Sequence, residues 1–136
     1  MSENAINTDA YRLLDDRISK EPLGPSVRDD DKQWREIVRW VLYATIEAEE
    51  KGITSENVDE MRNVEDPAVR FMLGSSPGIG EVIGLDDDWV YRIIKQVGNY
   101  GEIFERNMGL KSKIGMKRGL NDLWTRGGLM YSPPMR

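Results

Sequence analysis

Between Asp30 and Gly52 the apolar residues recur at intervals of three and four, and no other feature limits the fold as much. Trp34, Ile37, Val38, Val41, Leu42, Thr45 and Ala48 fall on one stripe of a 3.6-residue helix. Trp40, Tyr43 and Ile46 make a second stripe, so this helix needs cover on more than one side. Asp30 with Gln33 three residues on forms a capping-box arrangement, and Asp29, Asp30 and Asp31 set negative charge at the positive end of the helix dipole. Glu47, Glu49 and Glu50 close the segment, and Gly52 suits the left-handed position after a helix. The spacing predicts a helix over 31–51.

A second long stripe follows Asp86, Asp87 and Asp88. Val90, Ile93, Ile94, Val97, Gly101, Phe104 and Met108 share a face, with Trp89, Tyr100 and Ile103 beside it and Gly109 as the stop. Read as one helix, this segment carries Gly98 and Gly101 in its interior, each costing about 1 kcal/mol against Ala. A close helix contact is the expected reason for them. Three short helices are expected in between. The first starts at Thr54 or Ser55 and reaches about Arg62, with Val58 and Met61 inward. The second runs from Asp66-Pro67 to Gly74, and the third from Ser76-Pro77 to Gly84. A last helix over 112–126 would carry Ile114, Met116, Leu120, Leu123 and Trp124, with Gly127-Gly128 ending it and an extended exit beyond. Residues 1–31 are polar and broken by Pro22, Gly24 and Pro25. There, only Tyr11-Arg-Leu-Leu14 and residues 23–27 read as short extended pieces, the second confined by proline to a sheet edge or a connector. The fold class is mainly α, with a polar segment over 1–31 and a helical domain over 32–136.

The chain has no cysteine and no histidine. Disulfides, thiolate nucleophiles, iron–sulfur clusters, Ser–His and Cys–His arrangements and ordinary zinc sites are all excluded. No enzyme activity, cofactor or metal is expected. The net charge of −5 argues against nucleic acid as a partner. It is unevenly spread, because six cations against Asp122 after Leu110 leave +5 there and −10 on residues 1–110. A basic helix lying on an acidic body explains that tail better than a phosphate or lipid-headgroup patch. Residues 1–20 lack the basic and apolar regions of a secretory signal, and no run of 18 uncharged apolar residues is present.

Candidate chemistry is thin. Gly74-Ser-Ser-Pro-Gly78-Ile-Gly80-Glu-Val-Ile-Gly84 invites a phosphate-loop reading, but it lacks Gly-Lys-Ser/Thr and a preceding strand, and caps and turns account for its glycines. The two Asp triplets precede apolar stripes and lack the spacing of a calcium loop, so capping is the better account. Glu47, Glu49, Glu50, Asp59 and Glu60 read as solvated helix faces rather than an acid–base pair. Arg35, Arg39, Arg70, Arg92 and Arg106 read as partners of neighbouring acids, and the tryptophans as core.

Longer runs carry a resemblance. Ile18-Ser-Lys-Glu-Pro-Leu-Gly-Pro25 through Val27-Arg28, Gln33-Trp34, Ile37-Val-Arg-Trp40 and Ala48-Glu-Glu50 resemble the general L-amino-acid-binding proteins of bacterial ABC importers. So do Gly52-Ile-Thr-Ser-Glu-Asn-Val-Asp-Glu-Met61, Gly84-Leu-Asp-Asp-Asp-Trp89, and the run from Tyr91-Arg-Ile-Ile to Glu105-Arg-Asn107. Arg118-Gly-Leu-Asn121, Leu123-Trp-Thr125 and Gly127-Gly-Leu-Met-Tyr-Ser-Pro-Pro-Met-Arg136 match as well. The resemblance implies the C-terminal part of a type II periplasmic-binding-protein fold, in which two α/β lobes enclose an amino acid. Residues 11–20 would end the second lobe's last segment, 21–28 would be a hinge crossing and returning strand, and the helices would decorate the first lobe. It implies an L-amino acid as ligand, a membrane permease as partner and a periplasmic location.

In the family, the Arg on the ligand α-carboxylate and the Asp on its α-amino group lie upstream, so no residue of this chain is assigned to the ligand. Thr8-Asp-Ala-Tyr11 is superficially similar to an upstream Asp segment, but it stands too close to Ile18-Ser-Lys-Glu-Pro for Asp9 to take that role. Asp15-Asp16 stands where a Pro-Glu pair is expected. Two functional expectations result: a truncated substrate-binding protein lacking most of its cleft, or an independent helical interaction module. An orphan strand at 22–28 and uncovered apolar faces predict a homo-oligomer, with segment swapping as one form. Expressed as written, the chain is expected in the cytoplasm.

Overall fold

Asp31, not Asp30, opens the first helix: its carboxylate accepts from the Trp34 amide at 2.9 Å. Asp30 is drawn instead to the Arg28 guanidinium, 2.8 Å away, and Gln33 donates to the Ile83 carbonyl rather than closing a capping box. The structure is a computed structural model. It describes residues 21–76, 78 and 80–135, with Leu14, Asp16, Ile18 and Ser19. Six α-helices form among them: α1 (Lys32–Glu50), α2 (Val58–Met61), α3 (Pro67–Met72), α4 (Gly80–Ile83), α5 (Trp89–Val97) and α6 (Tyr100–Asn107). Two 3₁₀ turns, Gly119–Asn121 and Trp124–Arg126, follow.

The expected all-round cover of α1 is achieved in its second half alone. Ala44, Thr45, Ile46, Glu47, Ala48 and Glu49 are consecutive and all buried. Helices α5 and α6 pack on this helix, and Ala44 and Ala48 give them room to approach. The core then gathers Ile53, Val58, Leu73, Val90 and Ile94, and Met135 enters it from the far end of the chain.

The short helices keep their places with local corrections. Asp66 caps α3 as expected, accepting from the Ala68 and Val69 amides. Thr54 does not cap α2. Its hydroxyl and amide bond reciprocally with Asn57, so it shapes the turn before that helix. The third short helix starts at Gly80, later than Ser76-Pro77 suggests. Pro77 lies outside the described residues.

The second long helix is two helices. Gly98 takes φ +79° and ψ −179°, which no helix accommodates, and Asn99 starts α6 with a complete capping box to Glu102. The Asn99 side chain also donates to the buried Ile53 carbonyl at 2.8 Å. A satisfied cap outweighs continuing through two glycines at about 1 kcal/mol each. Gly98 is therefore the turn itself and not a small residue in a helix contact.

The helix expected over 112–126 does not form. Gly115 and Gly119 sit at φ +68° and +52° and interrupt it. Of its apolar stripe only Leu123 is buried, while Ile114, Leu120 and Trp124 are exposed. An isolated parallel bridge between Leu123 and Met130 ties the segment together instead. Among the described residues no strand forms, so the strand expected over 23–27 is absent. Residues 21–28 have no neighbouring strand to complete a ladder. The other strand expectation, 11–14, lies outside the described residues except for Leu14.

Candidate functional site

A hollow lies where the end of α1 meets the start of α6 and the C-terminal segment. It measures about 620 Å³ and is lined by Glu49, Thr54, Asn99, Glu102, Arg106 and Arg126 among others. Its polarity comes from both signs of charge. Glu49 stands at the last turn of α1 with its side chain only 7% exposed. Arg118 meets it with both terminal nitrogens, at 2.9 and 3.0 Å, and Arg126 adds a third contact at 3.3 Å. This two-pronged geometry fits a planar guanidinium to a carboxylate.

The rest of Arg118 is also engaged. Two of its N–H groups donate to the Asn121 carbonyl, and the guanidinium lies over the Tyr100 and Phe104 rings at 5.4 and 5.2 Å. Burial pushes the Tyr100 phenol above its ordinary value of 10.0, Arg118 opposing that rise and Glu49 adding to it. Gly101 allows the approach, since a Cβ there would stand 2.9 Å from the Glu49 carboxylate and 3.0 Å from Arg118.

The other lining acids are committed in the same way. Glu102 accepts from the Ser55 amide and hydroxyl, the latter at 2.6 Å, and from the Asn99 amide. Glu105 accepts from the Lys111 amide, and Arg106 donates to the Val97 carbonyl. A ligand site presents polar groups that converge on empty space. Here these groups converge on one another, and the hollow is a joint that fastens the C-terminal segment to α1 and α6.

The sequence candidates divide around this joint. Glu47 and Glu49, expected on a solvated face, are buried, Glu47 paired with Lys51 and Glu49 with Arg118 and Arg126 of the C-terminal segment, while Glu50 beside them stays exposed. The basic tail rests on an acidic body as expected, though through turns rather than a helix. Arg35 and Arg39 pair with Glu36, and Arg92 pairs with Asp86 and Asp88. Asp88 occupies the position before α5 yet makes no side-chain cap, because Arg92 takes its carboxylate. Asp87 reaches back to the Gly78 amide. Arg70 lines a small separate hollow with Glu65, Pro67 and Ser76.

In the glycine-rich loop, Gly74 and Gly80 lie against the backbone of residues 85–88, where a Cβ would come within 2.5 and 2.6 Å of a carbonyl oxygen. Close packing therefore needs those glycines, with no phosphate cradle required. Trp89 is buried as expected, whereas Trp34 and Trp124 are both 52% exposed. Trp124 stacks edge-on with Tyr131 and donates to Glu50. On α2, Asp59 accepts from Lys95 and Tyr91, and these bonds, Lys95 first, hold its carboxyl below the ordinary aspartate value of 3.8. Among the described residues no group of three or more acids could hold a metal ion, and no helix is long and apolar enough to cross a membrane. Thr8, Asp9 and Asp15 lie outside the described residues.

No established family model matches the chain. Individual relatives do. Over 132 residues it is 54% identical to the general L-amino acid-binding periplasmic protein AapJ of Rhizobium johnstonii, a match covering 96% of this chain and 39% of that protein. It is 51% identical over 125 residues to the glutamate/glutamine/aspartate/asparagine-binding protein BztA of Rhodobacter capsulatus, covering 91% of this chain and 37% of the relative. The putative amino-acid ABC transporter-binding protein YhdW of Escherichia coli K12 is 51% identical, with 96% and 38% covered. A solved ABC transporter/periplasmic binding protein from Brucella ovis, with glutathione bound, superposes with a TM-score of 0.90 at 49% identity. That superposition covers 96% of this chain and 41% of the other. The chain thus spans under two-fifths of the curated relatives it matches, by 37–39% of their length. Each of them is named as an amino-acid-binding protein or as a binding protein of an ABC transporter. By sequence and by fold, the chain is similar to the periplasmic amino-acid-binding proteins of bacterial ABC transporters, of whose length it spans only a part.

Proposed function

We propose that this chain supplies the C-terminal portion of a periplasmic amino-acid-binding protein, serving amino-acid uptake as scaffold without itself gripping the ligand. The observation that carries this reading is 54% identity sustained over 96% of the chain against only 39% of the relative. The self-satisfied joint supports it too, since Arg118 and Arg126, cations placed well to receive a carboxylate, are both spent on Glu49. The Arg and Asp that hold the ligand in the family belong to the portion this chain does not span. Residues 1–31 are the hinge-and-strand remnant and 32–136 the helical unit, and the strand over 22–28 forms when the rest of the sheet pairs with it. The ligand class is an L-amino acid or a close derivative, the membrane permease is the partner, and the periplasm is the working compartment. No relative supports an independent interaction module.

Calorimetric titration tests this. The chain alone should give no binding heat with glutamate, glutamine, aspartate or asparagine. Fused to the upstream portion of the Rhizobium johnstonii relative, it should bind one of them with a Kd of about 1 μM, roughly −8 kcal/mol. Micromolar binding by the chain alone would overturn the reading.

A further inference from the structure

The groups that hold Arg118 make up a seat for a guanidinium, and most of that seat belongs to helices far from Arg118 along the chain. Glu49 stands on the last turn of α1, and Tyr100 and Phe104 share a face of α6, four residues apart. The packing of α6 on α1 brings these three side chains together, and Gly101 leaves room between them. The features match a guanidinium rather than a cation in general. The Glu49 carboxylate, 7% exposed, takes two parallel N–H bonds at 2.9 and 3.0 Å, which an ammonium has no fork to supply. The two rings, at 5.4 and 5.2 Å, suit a flat cation. The Asn121 carbonyl accepts from two of the guanidinium nitrogens at 3.0 and 2.9 Å, and the Asp122 carboxylate stands 3.7 Å away.

We infer that the junction of α1 and α6 is a binding site for an alkylguanidinium, filled by the chain's own Arg118 and open to a guanidinium from outside once that side chain is withdrawn. The inference goes beyond the function proposed above and does not depend on it. Two observations separate the seat from its occupant. Glu49, Tyr100 and Phe104 are placed by helix packing, and the capping box of Asn99 and Glu102 fixes the start of α6 without help from the C-terminal segment. Arg118 reaches them at the end of residues 110–118, which form neither helix nor strand and hold the exposed Leu110, Lys111, Ile114 and Lys117. The selective element is the buried carboxylate, because it is met by a fork and not by a point charge. An alkylammonium ion has the charge but neither the fork nor the flat face.

The test removes the occupant and supplies it again. Arg118→Ala in the full chain vacates the seat, and N-ethylguanidinium restores the atoms lost beyond Cβ. At about 20 mM it should raise the thermal midpoint of Arg118→Ala by roughly 3 °C or more, the shift that a ligand gives at several times its Kd. As a denaturant at that concentration it moves the midpoint by less than about 1 °C, in the opposite direction. Ethylammonium under the same conditions should also give less than about 1 °C. N-ethylguanidinium should do no more to the parent, whose seat is filled, or to Arg118→Ala combined with Glu49→Gln, whose carboxylate is gone. If Arg118→Ala does not fold, Arg118→Met keeps most of the stem, and the bare guanidinium ion then serves as the probe. No shift in the vacated variant would overturn the inference. So would an equal shift with ethylammonium, which marks a pocket for any cation, or one that survives Glu49→Gln or appears equally in the parent, which places the binding elsewhere.

Discussion

Replacing Arg118 by Met is the most informative single change in this chain. It removes a guanidinium that is 18% exposed from a carboxylate that is 7% exposed, leaving Glu49 only Arg126, whose own side chain is 57% exposed. Removing one partner of a buried ion pair costs about 3–5 kcal/mol, mostly for the stranded charge. Arg126 recovers part of this, while the two lost bonds to the Asn121 carbonyl add about 1 kcal/mol net. A loss of about 3 kcal/mol is expected, which for a chain of 136 residues lowers the thermal midpoint by roughly 10 °C. The decisive variant is Glu49→Met combined with Arg118→Met. With both charges gone no stranded carboxylate remains, and the double variant should lie within about 1 kcal/mol of the parent. Urea unfolding followed by helical circular dichroism gives the four free energies of the cycle. Additive losses in the double variant would refute the reasoning. The C-terminal segment would then be held by Leu123 and Met135 in the core, with the ion pair incidental.

Three further outcomes follow from the same contacts. Asn99→Ala removes the α6 cap and strands the Ile53 carbonyl, and should cost about 2 kcal/mol in urea unfolding. Asn99→Asp keeps the cap but sets a buried carboxylate oxygen against the Ile53 carbonyl, two acceptors that repel, and should not recover the loss. Gly101→Ala reverses the usual helix-propensity gain of about 1 kcal/mol, because its methyl collides with the Glu49–Arg118 pair; a stabilised variant in thermal melts would contradict the geometry. Asp59 has a folded-state value below its ordinary 3.8, set by Lys95 first and Tyr91 next, so its contribution is present above about pH 4 and lost as pH falls further. The stability difference between parent and Asp59→Asn should therefore be larger at pH 6 than at pH 3, and a difference that grew on acidification would be the wrong sign.

What could be read from the sequence was whatever is written within a few residues. Asp66-Pro67 fixes the start of α3 because the cap, the acid and the pre-set proline φ are all local. The break between α5 and α6 was hidden for a definite reason. Both halves face α1, so the apolar stripe keeps its 3.6-residue phase across Gly98 and periodicity registers no interruption. Over 112–126 a helical pattern was present, but Gly115 and Gly119 outweighed it where no core waited to receive the stripe. The joint was least legible, because Glu49 and Arg118 are 69 residues apart and each alone looks like a surface charge. The one signal that could have found it was already in the shared runs, since Ala48-Glu-Glu50 and Arg118-Gly-Leu-Asn121 both belong to the family resemblance.

Burial along α1 joins these threads. Its sequence demands cover on more than one side, and the demand is uniform from Trp34 to Ala48. The chain meets it fully only in the second half of α1, where α5 and α6 pack and where Arg118 and Arg126 pin the C-terminal segment over Glu49. Toward the N-terminus of α1 that cover thins and the apolar residues do not. A helix evolved to stand alone would have carried lysine or glutamate at positions 34, 38 and 42, which would add solubility at little cost in helix propensity. Tryptophan, valine and leucine there leave an apolar flank that the described residues only partly cover.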